Sequence, residues 1–132
     1  MSLAIAYWCV LIAALLPYVW VTIAKASGER YDNRDPRAWT ARQTNPRVHR
    51  ANAAQLNSYE SFAPFAAAVI LAQLAGVAAE RIALLAMLHV LFRIVHGVVY
   101  IAGLPHGLRS LAWGVAFACT LLLVGQAAVQ VA

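Results

Sequence analysis

Charge is what this chain has least of. Of its 132 residues, ten are Lys or Arg and five are Asp or Glu, only 11% together. A soluble globular domain carries about a quarter. Fifteen charges cannot coat a soluble surface of this size, so an ordinary water-exposed domain is excluded. Cysteine is scarce as well. Cys9 and Cys119 lie in separate apolar runs, with neither metal-ligand spacing nor a disulfide framework, and read as small packing residues. No residue set suggests a metal site. Glycine forms no phosphate-cradling loop: Gly97, Gly103 and Gly107 are spread over an apolar run and a turn. There is no internal repeat and no low-complexity tract.

What is abundant is apolar: 63% of the residues are hydrophobic, with a mean hydropathy of +0.69. Such a chain needs lipid as its solvent. Leu3 to Ala24 carries no charge; as a helix it spans ~33 Å, enough for a bilayer core of ~30 Å. It lacks a basic leading segment and exceeds a signal-peptide core, so it reads as a retained helix. Asn45-Pro46 is an N-cap followed by proline at the first helical position. Gly76 is a C-terminal stop, and Leu104-Pro105-His106-Gly107 a turn. These marks predict an all-α integral membrane four-helix bundle in one domain, residues 1–132. Its helices are expected at about 3–24, 46–75, 82–103 and 108–131.

The charges are placed unevenly. Lys25, Arg30, Arg34, Arg37, Arg42, Arg47 and Arg50 are seven of the ten basic residues. The positive-inside rule puts that stretch in the cytoplasm. Four crossings then leave both termini outside, periplasmic if the alanine-rich, arginine-biased composition reflects a bacterial inner-membrane protein. Glu29, Asp32 and Asp35 interrupt the basic stretch, and no nucleic-acid-binding module is recognisable. The basic loop therefore suits topology and lipid headgroups rather than nucleic acid.

Several polar residues sit where lipid does not tolerate them. At ~100° per residue, Arg50, Asn57 and Glu60 fall within ~80° of one another, with Asn52 and Gln55 turned elsewhere. His89, Arg93, His96 and Tyr100 share an arc of ~60° in the third run. The two stripes meet just inside the cytoplasmic interface, where Arg109 begins the fourth run. Membrane-embedded ionisable groups face a bundle interior or a wet cavity. An ion-paired lock of Glu60 with Arg93, tied by Asn57, is one reading. Three arginines against one carboxylate leave cationic donors over, which suits a bound anion. His89 reads as a satisfied core residue.

These residues are similar to the MAPEG family, the membrane-associated proteins of eicosanoid and glutathione metabolism. Residues 50–65 resemble the second-helix pattern R-A-x-x-A-x-x-N-x-x-E-x-F of bacterial members, through Arg50, Asn57, Glu60 and Phe62. Arg93, His96 and Tyr100, followed by Arg109-Ser110, resemble the R-x-x-H-x-x-x-Y…R-S pattern of the microsomal prostaglandin E synthase branch. The resemblance spans essentially the whole chain. It implies a homotrimer with glutathione bound at each subunit interface. Asn57 and Glu60 would hold the peptide's amine and backbone, with Arg50, Arg93, His96 and Tyr100 along the same wall. Arg109 and Ser110 would be the catalytic pair beside the thiol. One position departs: glutathione-using relatives often carry arginine four residues before the motif asparagine, and here that residue is Ala53. The first-loop arginine of relatives would correspond to Lys25 or Arg30.

The function implied is a glutathione- or thiol-dependent transferase, isomerase or peroxidase for lipophilic small molecules arriving through membrane lipid. The alternative is a non-catalytic lipid-binding or scaffold member of the family. A small proton-coupled transporter fits less well. Such pumps place their carboxylate in the first helix and have short loops, whereas Glu60 is in the second.

Overall fold

The computed structural model describes residues 2–132, and among them there are five helices and no strand. They are α1 (Leu3–Ser27), α2 (Pro36–Arg42), α3 (Pro46–Leu74), α4 (Ala79–Ala102) and α5 (His106–Gln130). The four long helices fall within a few residues of the expected spans. By length and composition α1, α4 and α5 are apolar enough to cross a membrane. The longer α3 is less apolar because its first half carries the polar residues from Arg47 to Glu60.

Local chemistry explains the ends. The Asn45 side chain accepts from the Arg47 amide at 3.0 Å, with Pro46 at the first turn of α3. The helix stops at Gly76, with φ 80°, and Val77 N–H bonds back to the Ala72 carbonyl. Gly103 ends α4 in the same way, with φ 70° and Leu104 N–H on the Val99 carbonyl. Both are left-handed C-terminal caps, a conformation that favours glycine.

The unanticipated element is α2. Asp35 caps it, accepting from the Ala38 amide at 3.0 Å, and Pro36 opens it. The buried Trp39 ties it down by donating to the Arg30 carbonyl at 3.1 Å. Gln43, also buried, receives the Glu29 amide and donates to the Trp39 carbonyl. The basic stretch is thus a folded cap over the ends of α1 and α3.

Helix α3 packs against α1, α4 and α5, and α4 against α1 and α5. The core has two apolar parts. One joins Ala6, Cys9, Phe65, Val69, Ile82 and Leu123; the other joins Leu16, Trp20, Trp39, Val48, Ala54 and Ile101. Fully buried alanines at 51, 54, 68, 72, 83 and 86 let the backbones approach closely. Ser58 on α3 and Arg93 and His96 on α4 are buried polar residues between the two parts, and His89 is buried within the first. Cys9 and Cys119 are free and buried, as packing residues should be.

Candidate functional site

The site begins with α4. Arg93, His89 and His96 point inward and are all but inaccessible. Arg93 reaches across to α3, where its Nη2 donates to Asn57 Oδ1 at 2.8 Å. Its Nε and Nη1 are buried with no partner. Glu60 lines the same cavity as Asn57 and Arg93, but no Glu60–Arg93 ion pair forms among the described residues. The lock expected from the sequence is therefore an arginine–asparagine hydrogen bond. Pro64 has no N–H to give the Glu60 carbonyl one turn back, which adds an acceptor at this level.

One turn along α4, the His96 ring meets Tyr100 edge-on, with centroids 5.6 Å apart at 81°. The guanidinium of Arg109, at the start of α5, lies 4.3 Å from the centre of the Tyr100 ring. That cation–π contact holds the charge at the helix junction. His96 Nδ1 is buried without a partner. Ser110 is exposed beside Arg109.

Arg50 stands apart. Its Nε donates to the Ile101 carbonyl at 3.0 Å, and its guanidinium lies over Gly103. It caps the C-terminal end of α4, where a cation opposes the helix dipole. Of the residues singled out in the sequence, the structure groups Asn57, Glu60 and Arg93 at one cavity. It links His96, Tyr100 and Arg109 as a chain above it. Asn52 and Gln55 point elsewhere, as their angle predicts: they line a separate cavity of about 570 Å³ with Tyr18, Lys25, Arg37 and Tyr59. Lys25 sits 4.2 Å above the centre of the Tyr31 ring.

Sequence reasoning did not place His89 at the cavity, nor Thr120, Trp113 and Phe117 from α5. Trp113 and Phe117 stack at helical spacing, centroids 5.1 Å apart. For His89 a signal existed, because it shares the inward stripe of Arg93. Its burial as a core residue is correct, yet only its Nδ1 is satisfied, by the Ala116 carbonyl at 2.9 Å.

An all-helical chain with three helices long and apolar enough to cross a bilayer, and a buried polar layer around Arg93 between them, is an integral membrane protein. It belongs to the MAPEG family, whose family model matches residues 5–129. No curated protein and no solved structure matches the chain.

Proposed function

We propose that this chain is a membrane-embedded, thiol-dependent transferase that joins glutathione to lipophilic electrophiles at the cytoplasmic membrane interface. The observation that carries the reading is the Arg93–His96–Tyr100–Arg109 series. Arg93 lies one turn before His96 on α4, the Tyr100 ring meets His96, and Arg109 sits over Tyr100. Neither guanidinium forms a salt bridge among the described residues, with Glu60 sharing the cavity of Arg93. A guanidinium keeps its charge at any working pH. Beside a thiol it favours the thiolate, which is the nucleophile. In the proposed reaction the thiol proton leaves to solvent and the sulfur forms a bond to the electrophilic carbon, displacing the leaving group.

In this reading Arg109, with Ser110, stands at the sulfur. Asn57 and Glu60 hold the peptide's amine and backbone, and Arg93, His96 and Tyr100 form the wall. Arg50 acts through the end of α4 rather than on the ligand. Glu60 is exposed on the isolated chain, at a depth where an uncovered carboxylate is costly. A trimer of four-helix bundles, with each site closed by a neighbour, removes that cost. The basic cap with α2 faces the cytoplasm and both termini the periplasm of a bacterial inner membrane.

The test is conjugation of glutathione to 1-chloro-2,4-dinitrobenzene by detergent-purified protein. Arg109→Ala should lose about 10²-fold in rate, as for removal of one preorganised charge-stabilising donor. Absence of both conjugation and glutathione binding at millimolar concentration sinks the proposal. A second reading, a non-catalytic lipid-binding member, is favoured by Ala53 and by the commitment of Arg50 to the Ile101 carbonyl. Together they leave that part of α3 without a free arginine for a ligand carboxylate. Lipid retained equally by wild type and Arg109→Ala, without turnover, would support it.

A further inference from the structure

A second cavity takes no part in the proposed thiol chemistry. It spans about 570 Å³ between the end of α1, the cap helix α2 and the first half of α3, a size within the roughly 300–1,000 Å³ of ligand pockets. None of its lining residues lines the cavity of Asn57, Glu60 and Arg93.

Its rim is cationic. Lys25 and Arg37 both line it, and no carboxylate does. Neither cation forms a salt bridge among the described residues. The Lys25 ammonium is held in place, 4.2 Å from the centre of the Tyr31 ring, which in turn meets Trp39 edge-on at 5.1 Å. Trp39 is anchored by its bond to the Arg30 carbonyl. Below the rim, Asn52 and Gln55 lie three residues apart on one face of α3. Both are half-buried, and neither side chain is hydrogen-bonded among the described residues.

The deep end is aromatic and open to lipid. Tyr18 lies seven residues before Lys25, and Tyr59 seven after Asn52, in each case about 10 Å further into the bilayer. Their rings meet edge-on at 6.2 Å, and both are exposed. The gradient from rim to floor selects a ligand. A phosphate answers two unpaired cations. A soluble phosphate would use the rim and leave the floor bare, whereas a phospholipid uses both. Its ester carbonyls, one step below the phosphate, accept from the Asn52 and Gln55 amides, and its chains leave past Tyr18 and Tyr59. A choline or ethanolamine head would bring an ammonium against Lys25 and Arg37, with no carboxylate in the lining to take it.

We infer that this cavity binds one anionic phospholipid, its phosphate held between Lys25 and Arg37. No step of the inference rests on the thiol reading.

The test is native mass spectrometry of the delipidated full chain in detergent, titrated with dioleoyl phosphatidylglycerol or dioleoyl phosphatidylcholine. Phosphatidylglycerol should saturate at one per chain and bind about tenfold or more tightly than phosphatidylcholine. Lys25→Gln together with Arg37→Gln should bring the two lipids to within about threefold. Arg42→Gln together with Arg47→Gln removes the same charge from exposed positions outside the cavity, and should keep the preference. Arg37 is exposed, so Arg37→Gln alone leaves the fold intact and should still lose about threefold of the preference if the double variant does not fold. Equal affinity for the two lipids, or equal losses from the two arginine- and lysine-depleted pairs, overturns the inference and leaves only diffuse attraction to the basic stretch. Displacement of the lipid by millimolar glycerol 3-phosphate also overturns it, and assigns the rim to a soluble phosphate.

Discussion

At the residue scale, the most exacting position is Gly97. A Cβ there would run into the indole of Trp20, against Cζ2 and Cε2. That indole is not free to yield, because its Nε1 donates to Ser58 Oγ at 3.0 Å and the ring is 4% exposed. Gly97→Ala should therefore cost about 1–3 kcal/mol through overpacking, read as a lowered thermal midpoint in detergent. Ser58→Ala probes the same contact from the other side. It strands a buried indole N–H and should cost about 1–3 kcal/mol; a midpoint equal to wild type would show that Trp20 finds another partner. The catalytic prediction also belongs here. The Arg109 charge is held over Tyr100 by ring contact. Tyr100→Phe should keep conjugation within a few-fold of wild type, whereas Tyr100→Ala should fall toward the Arg109→Ala rate, in the conjugation assay.

At the element scale, the basic stretch between α1 and α3 is ordered by caps and not by apolar periodicity. Asp35→Ala removes the α2 cap and should cost about 1 kcal/mol. Proteolysis should then reach the 30–43 segment faster than in the wild type. Nearby, Arg34 grips Asp32 with two side-chain N–H bonds at 3.0 Å each. That grip holds the Asp32 carboxyl below the usual carboxylate range. A lowered pKa in the folded state means that the contribution is present above the ordinary aspartate value and lost as pH falls through the lowered one. The pair is solvent-exposed and screened by salt, so its contribution to stability is small. An NMR titration should place the Asp32 midpoint below that of an unpaired aspartate, and Arg34→Ala should raise it. This cap was partly legible in the sequence: Asp35-Pro36 repeats the signal of Asn45-Pro46. A seven-residue helix is too short to show an apolar stripe, and its order comes from Trp39 and Gln43 reaching distant carbonyls and amides.

For the whole molecule, the distribution of apolar surface matters more than its amount. Trp8, Leu15, Leu74, Leu111 and Val129 are exposed, which in water would be an aggregating surface and in lipid is an ordinary one. Cys9 and Cys119 are buried within that frame, so neither should react with a maleimide until the protein is denatured. That silence makes topology measurable. In the proposed topology, a membrane-impermeant maleimide applied to intact cells should label Gln130→Cys and not Thr40→Cys. Labelling of Thr40→Cys would reverse the proposed orientation.

The sequence by itself determined the solvent, the four long helices and the inward stripe of α4. Each of these follows from local order: runs of apolar residues, caps beside prolines, stopping glycines and the 3.6-residue period. It also put Asn57, Glu60 and Arg93 at one level, because rise per residue fixes depth once the helix ends are known. The tertiary structure decided which groups are already spent. Arg50 shares the stripe of Asn57, yet its guanidinium is used on the end of α4. His89 reads as a core residue, yet packing satisfies one ring nitrogen and leaves the other without a partner. Periodicity gives the face a side chain occupies. Whether its hydrogen bonds are taken depends on backbone carbonyls and rings from helices far away in the chain.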